Sequence, residues 1–137
     1  MHHTINIRIY YEDTDAGGIV YNANYLKYAE RGRTEFLRST GFQSSIIHKE
    51  HSTIFVVRHV EIDYLKPSYL DDMLELRTSI EDMKNTSFTM RQQVYKGDEL
   101  LTDMRVVLVC VNVDTYKPVR IPEGVKETFQ GYVESVK

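Results

Sequence analysis

The sequence predicts an α+β fold in which a curved antiparallel sheet wraps around one long helix. Three observations support this prediction. One strand pattern is followed by a long stretch of helical periodicity, four further strand patterns come after it, and short turn signals separate the last three of them. With 137 residues the chain can bury one hydrophobic core but not two, so we expect residues 1–137 to form a single domain.

Two different periods predict the first strand and the helix. Residues 4–11 alternate isoleucine with polar side chains, which is typical of a strand with one buried face. Helical spacing begins at Asn22, and either Asn22 or Asn24 is the expected cap, while Gly41 stands where a left-handed residue often ends a helix. Gly32 lies on the apolar face and costs about 1 kcal/mol relative to alanine, so we expect another backbone segment to approach it closely.

The later elements follow from residue type and spacing. A helical turn or two is expected in residues 42–50, and strands are expected at residues 53–65, 73–84, 86–95 and 99–113. The last of these strands contains an unbroken apolar run that includes Cys110, so we expect it to be covered on both faces and central in the sheet. Residues 123–136 predict a loosely helical segment that covers the core.

Composition excludes several functional classes. The net charge is −3 and the lysines and arginines are dispersed, so no basic surface for nucleic acid is expected. The longest apolar run is far shorter than the roughly 20 residues of a membrane-spanning helix, and the first ten residues lack the apolar core of a signal peptide. Cys110 is the single cysteine, which rules out an internal disulfide, so a cytoplasmic location is expected.

A short acidic loop lies between the first strand and the helix. Its sequence, YEDTDAGG, spans residues 11–18 and places Glu12, Asp13 and Asp15 close together. The first amides of a helix carry partial positive charge, and we expect them to point towards this loop, where they would stabilise a carboxylate or a developing oxyanion. Because aspartate, threonine and glycine also dominate ordinary turns, the residues alone favour a structural turn over a reactive site.

The loop and the helix after it resemble a known family. Residues 10–35 and 55–76, together with the last long strand, closely resemble the acyl-CoA thioesterases of the 4-hydroxybenzoyl-CoA thioesterase-like hotdog superfamily, and most of all its Tol-Pal-associated branch. This resemblance implies a hotdog fold and hydrolysis of an acyl-CoA thioester. It also implies that no metal or tightly bound cofactor is used, that coenzyme A enters as part of the substrate, and that a homodimer or a dimer of dimers shares its active sites.

The resemblance assigns roles to particular residues. Asp15 matches the catalytic carboxylate of the family, and Tyr11 matches a tyrosine of the site. Asn22 stands where the branch commonly has histidine, so a titratable group is missing. The supporting or substrate-binding set expected from the match is Tyr11, Gly18, Asn22, Tyr25, Phe55, Val57 and Arg58.

Several of these residues have plainer alternatives. Glu30 matches a substrate-contacting position, but pairing with Arg33 or Thr34 on the helix surface is favoured. Phe55 and Val57 fit core packing as well as a pocket wall. The CoA phosphates need cations, and the candidates are Lys84 and Arg91, with Arg105, Lys117 and Arg120 as further possibilities that are equally consistent with solvated surface charges. His48 and His51 have metal-compatible spacing, but surface histidines are the favoured interpretation.

Taken together, the sequence predicts an acyl-CoA thioesterase in which Asp15 activates water or attacks the thioester carbonyl itself. Two alternatives remain open. A hotdog hydratase or dehydratase also places a carboxylate near an acyl thioester, but normally pairs it with histidine. A non-catalytic acyl-thioester-binding or scaffold protein is compatible with the loss of that histidine at Asn22.

Overall fold

The computed structural model describes residues 1–133 and, within them, all side chains except that of Ser44. Its helices and strands follow one another as β1 (His3–Arg8), α1 (Asn24–Thr40), α2 (Ser44–His51), β2 (Thr53–Tyr64), β3 (Met73–Met83), β4 (Ser87–Lys96), β5 (Glu99–Asn112) and α3 (Glu123–Gln130). The predicted α+β class and order of elements are confirmed. The end of the expected covering segment, residues 134–136, lies outside the described residues.

The strands form one five-stranded sheet in which neighbours run antiparallel, in the order β1-β3-β4-β5-β2. Short turns connect β3, β4 and β5 as the predicted meander. β5 is an interior strand, as expected, but β4 occupies the middle of the sheet. None of the helices within residues 1–133 has both the length and the apolar character that crossing a lipid bilayer requires.

β2 contains a bulge that changes which residues face the helix. Val57 is paired with Leu108 and His59 with Val107, so Arg58 is an extra residue that has no partner of its own in β5. A bulge of this kind bends the strand and shifts the alternation of its side chains by one position.

α1 lies on the sheet through the side chains that the helical period predicted. At Gly32 an added Cβ would overlap the Leu76 side chain and come within 3.0 Å of Gln92 Nε2, so it is side chains of β3 and β4, not another backbone, that approach this glycine. Asparagine capping is also wrong, because the N-cap is Ala23, which makes no side-chain cap hydrogen bond. Gly41 ends α1 with φ 84°, as predicted.

The core has two parts, one beneath each half of α1. The aromatic cluster lies beneath the C-terminal half, where the Phe129 ring of α3 is 5.4 Å from Phe36 and 5.2 Å from Phe88. The N-terminal cluster joins α1 to β1 and β3 through side chains such as Ile9 and Leu74. The loop between β1 and α1 therefore leaves the sheet at the end that holds the N-terminal cluster.

Candidate active site

The loop between β1 and α1 is a closed turn that the backbone itself holds together. The Asp15 N–H donates to the Ile19 carbonyl (2.9 Å), and the Gly18 N–H donates to the Asp15 carbonyl (3.0 Å). Thr14 and Val20 pair as an isolated antiparallel bridge. Gly18 has φ 80°, a value that side chains disfavour, so glycine is required here by the turn. The structural interpretation of the loop is therefore correct as far as its backbone is concerned.

The carboxylates of this loop have different surroundings. Asp13 is partly buried and is used structurally, because its Oδ2 accepts from the Tyr10 N–H (2.8 Å) and its carbonyl accepts from Asn24 Nδ2 (2.8 Å). Asp15 is exposed, and its Oδ1 accepts from the Gly17 N–H (2.8 Å). This hydrogen bond orients the carboxylate. Asp15 is thus the carboxylate of the loop that is both oriented and accessible.

The first amides of α1 do not point at the loop as the sequence suggested. The amides of Asn24, Tyr25 and Leu26 each donate to the carbonyl three residues earlier, at 2.9–3.2 Å. A tight turn thus precedes the helix and takes up these donors. Within residues 1–133, the amides of Asn22 and Ala23 are the ones in this turn for which the structure shows no acceptor. The amides of this turn that are free to donate therefore lie just before α1 and not in its first turn.

The aromatic residues predicted for the site divide into exposed and structural ones. Tyr11 is 81% exposed in a short 3₁₀ turn, Tyr11–Asp13. Tyr25 is buried and shares a hydrogen bond with Ser68, and burial raises the pKa of its hydroxyl. Asn22 is exposed, and its carbonyl accepts from the Tyr64 hydroxyl (3.2 Å), which ties the end of the loop to the end of β2. Tyr25 is therefore part of the packing beneath the loop, whereas Tyr11 and Asn22 are exposed.

A groove of about 400 Å³ runs between α1, α2 and β2, and we call it the α1/β2 groove. It is lined by Glu30, Arg33, Thr34, Leu37, Ile47, Ile54, Phe55, Val57, Phe88, Met90 and Leu108. Phe55 and Val57 were predicted here, and Phe55 also packs edge-on against Phe88 with the ring centroids 5.1 Å apart. Phe55 therefore lines the groove and also packs in the core, and its role in binding substrate stays a prediction. Arg58 is exposed at the bulge and does not line this groove.

Sequence reasoning missed Arg33 as a groove residue and considered it as a partner for Glu30. No ion pair joins Glu30 to Arg33 in the part of the chain that the structure describes. Glu30 instead lines the α1/β2 groove and a second groove on the opposite side of α1. The helical spacing of Glu30, Arg33 and Leu37, which puts them along one side of α1, is the signal that would have found this wall.

The second groove, which we call the α1/β1 groove, is larger and polar. Its volume is about 690 Å³, and it is lined by Ile5, Asn6, Ile7, Arg8, Tyr10, Glu12, Asp13, Lys27, Glu30, Arg31, Thr34 and Glu35. Acidic and basic side chains are mixed along it, so it has no dominant sign of charge. None of the predicted supporting residues lies in it.

The cations proposed for coenzyme A do not converge on the loop. Arg91 forms a bidentate ion pair with Asp103 (2.9 and 3.2 Å), and this hydrogen bonding raises the pKa of the guanidinium. Arg105 is also paired, because its Nε donates to both carboxylate oxygens of Glu81 (2.9 and 3.1 Å). Lys84 is exposed just beyond the end of β3. Binding of a phosphate by Arg91 would require it to leave Asp103, and the roles of Lys84 and Arg91 stay predictions.

The remaining candidates for special chemistry have ordinary surroundings. His48 and His51 are exposed on α2, and within residues 1–133 no three histidine, cysteine, aspartate or glutamate side chains are grouped so as to hold a metal ion. Cys110 is buried, and burial raises the pKa of its thiol, which matches the expectation of a small hydrophobic side chain in β5.

Comparison with known proteins identifies the family. The structure of a probable thioesterase from Bartonella henselae superposes with a TM-score of 0.84 at 37% identity, covering 89% of this chain and 100% of that chain. The acyl-CoA thioesterase YbgC of Haemophilus influenzae is 39% identical over 123 residues, which are 90% of each chain. The acyl-CoA thioester hydrolase YbgC of Escherichia coli is 41% identical over 125 residues, covering 90% of this chain and 92% of that protein. Residues 10–129 match the family model of the thioesterase-like superfamily, and the chain therefore belongs to this superfamily.

Proposed function

We propose that this protein is an acyl-CoA thioesterase of the hotdog fold, which hydrolyses an acyl-CoA to the free acid and CoA with Asp15 as its catalytic carboxylate. The observation that carries the proposal is the Asp15 carboxylate itself. One of its oxygens is held by the Gly17 N–H (2.8 Å) and the residue is exposed, in a loop that leads directly into α1. The relatives named as acyl-CoA thioesterases are similar to this chain along nearly all of its length.

The proposed reaction needs a base or nucleophile and a site for the oxyanion. Asp15 either accepts a proton from the attacking water or attacks the thioester carbonyl carbon itself. The carbonyl oxygen becomes an oxyanion, which the amides of Asn22 and Ala23 would stabilise by hydrogen bonding. The C–S bond then breaks, and the CoA thiolate leaves and takes up a proton. If Asp15 attacked the carbonyl itself, water then hydrolyses the resulting acyl-Asp15 anhydride to the free acid and the free Asp15 carboxylate. The Asn22 side chain does not titrate near neutral pH, so no step is assigned to it as an acid or base.

The α1/β2 groove is the proposed site for the acyl group. Most of its lining side chains are apolar, and it lies on the same side of α1 as β2, whose last residue, Tyr64, is hydrogen bonded to the end of the loop. An acyl chain would bury apolar surface there, whereas the phosphates of CoA would stay at the surface, with Lys84 and Arg91 as candidate cations. A CoA ester substrate and a single unpaired, buried cysteine suit a cytoplasmic enzyme.

The test of this function is the substitution Asp15→Asn. If Asp15 is the general base, the variant should lose about 10²–10⁴-fold in kcat while keeping its fold by circular dichroism. Asp98→Asn is the matched control, because Asp98 lies in the exposed turn between β4 and β5. Normal thioester hydrolysis by a folded Asp15→Asn protein would reject the proposal. Saturable acyl-CoA binding by the wild type without release of free thiol would instead favour an acyl-binding protein.

We also propose that the protein is a homodimer, or a dimer of dimers, in which β2 lies at the subunit interface. β2 is a 12-residue edge strand, and its Val57, Val60 and Tyr64 are exposed. A long edge with apolar side chains is a surface that proteins usually cover, and pairing around a two-fold axis would cover it and close the α1/β2 groove. Light scattering at micromolar concentration should give two or four times the chain mass of 16.1 kDa. A monomer would contradict this.

A further inference from the structure

Arg33 is out of place in the wall of the α1/β2 groove. Apart from Glu30 and Thr34, the other lining residues are apolar. Arg33 is partly buried, and its Nη1 donates to Gln92 Oε1 (3.0 Å). No carboxylate lies within ion-pair distance of Arg33 in residues 1–133. A guanidinium has five N–H donors, so one neutral acceptor leaves most of them unused.

The partial burial of this charge needs a physical reason. Taking a charged side chain out of water is costly unless it is paired, and here burial lowers the pKa of the Arg33 guanidinium while the Glu30 carboxylate raises it. Anchoring α1 to the sheet does not supply the reason. Gln92 already makes that connection through its Nε2, which donates to the Ala29 carbonyl (2.8 Å) and to Thr78 Oγ1 (3.1 Å). Gln92 is therefore held in place without Arg33. The hydrogen bond between the two does not explain why a cation lies in an apolar groove wall.

The position of Arg33 along α1 indicates which part of a substrate would reach it. At ~1.5 Å per residue, Arg33 lies about 13 Å along the helix axis from Asn24, the first residue of α1. The Asp15 loop is joined to that first residue by the hydrogen bond from Asn24 Nδ2 to the Asp13 carbonyl. The guanidinium lies about one turn nearer the loop than this, because it is bonded to the Gln92 side chain, which is itself bonded to the Ala29 carbonyl. A short acyl group whose thioester lies at the loop, and whose chain follows α1, would bring its far end to the guanidinium.

We propose that Arg33 determines acyl specificity by binding a carboxylate at the far end of the acyl group, so that the preferred substrates are CoA esters of short dicarboxylic acids. This inference rests on the proposed thioesterase function and deepens it. A guanidinium binds carboxylate through two parallel hydrogen bonds, which are strongest where water is excluded. The apolar side chains of the groove would pack on the methylene groups, and the terminal carboxylate would supply the partner that Arg33 lacks.

Two other binding partners for Arg33 would lead to different experimental results. A CoA phosphate would contact Arg33 whatever the acyl group, although the apolar lining of the groove suits it poorly. A carboxylate from a second subunit would make Arg33 part of the subunit interface. Glu30 lines the groove close to Arg33 and is exposed, so its charge opposes a dicarboxylate, and Glu30→Gln should improve the use of such a substrate.

The experiment compares adipyl-CoA with hexanoyl-CoA, which have the same number of acyl carbons and differ in the terminal carboxylate. The wild type should have the higher kcat/KM for adipyl-CoA. In Arg33→Gln the ratio of the two kcat/KM values should fall by about 10–100-fold, because adipyl-CoA loses the partner of its terminal carboxylate and hexanoyl-CoA has no such carboxylate. Arg31→Gln is the matched control, since Arg31 is an exposed arginine of α1 that lines the opposite groove, and it should leave the ratio unchanged.

The outcomes separate this inference from the function on which it rests. A wild type that hydrolyses hexanoyl-CoA and does not prefer adipyl-CoA overturns the inference and keeps the thioesterase. An equal loss with both substrates in Arg33→Gln, or a change in molecular mass, also overturns it, in favour of a phosphate or an interface contact. If neither ester is hydrolysed, calorimetry with the hydrolysis-resistant thioether analogues of both esters decides, because equal wild-type affinities would overturn the inference. This wild-type comparison holds even if Arg33→Gln fails to fold.

Discussion

The two grooves beside α1 share one helix but differ in chemistry. Glu30 and Thr34 line both of them, so the helix contributes the same two polar side chains to each groove. The difference comes from both the helix and the sheet. Beside β2, inward-facing side chains of β4 and β5 such as Met90 and Leu108 remain in the groove wall, whereas beside β1 the charged side chains come mainly from α1 itself and from the loop before it. The face that a helix presents and the strands opposite that face thus decide together which groove suits an acyl chain.

The largest effect is expected at the base of the apolar side. Phe129→Ala removes a fully buried ring from the aromatic cluster, where it lies 6.1 Å from the groove residue Phe55. The free energy of unfolding should fall by about 3–5 kcal/mol in urea titration. Tyr10→Ala on the polar side is the control, because this ring is 61% exposed and should cost about 0.5 kcal/mol or less. Equal losses in the two variants would remove the distinction between the two sides.

A carboxylate added to each edge strand tests the comparison through activity. Val57→Glu places a charge in the wall of the α1/β2 groove and should lower kcat/KM for hexanoyl-CoA by about 10–100-fold, because the acyl chain would lose apolar contacts. Asn6→Glu makes the corresponding change on β1 in the polar groove, and its effect should stay within about threefold. A larger loss in Asn6→Glu than in Val57→Glu would show that our proposal assigns the acyl group to the wrong side of α1.

The smallest effect is expected at the glycine that sets the distance between α1 and the sheet. Gly32→Ala should lower the free energy of unfolding by about 1 kcal/mol, since overlap with Leu76 and Gln92 costs about 1–3 kcal/mol and alanine regains about 1 kcal/mol of helix propensity. Gly124→Ala in α3 is the control, because its Cβ would meet Phe42 Cζ at an ordinary 3.5 Å. If Gly32→Ala is as stable as the control, the close approach at α1 is not limiting.

Local patterns predicted the elements well and the contacts between them poorly. The alternation in β1 and the helical spacing of α1 are short-range properties, so they could be read directly. The cap of α1 could not, because Asn24 is used by the carbonyl of Asp13, a contact set by how the loop folds back. The ion pair of Arg91, a candidate for phosphate binding, with Asp103 on the neighbouring strand could not be predicted either. Such pairs depend on strand register, which sequence does not state.

For the candidate site, too, the sequence predicted individual residues better than it predicted their surroundings. The family resemblance pointed to Asp15, and the structure adds its fixed orientation through Gly17. Arg33 was missed, because its importance depends on the apolar side chains that four other elements bring opposite it. An arginine on a helix is ordinary by itself, and only its surroundings in the fold make it informative.

The extra residue at Arg58 divides β2 into two segments, and the alternation of side chains is shifted by one position between them. Before it, Phe55 and Val57 face β5 partners on the helix side, and after it Ile62 takes up that side, where it packs on the N-terminal cluster. Without the bulge, an unbroken alternation would turn Glu61 inwards in place of Ile62. A single strand can therefore line the groove with its first half and reach the loop with its second. Deletion of this one residue would therefore stop the two halves of β2 from facing the groove and the loop together, although every other residue would remain.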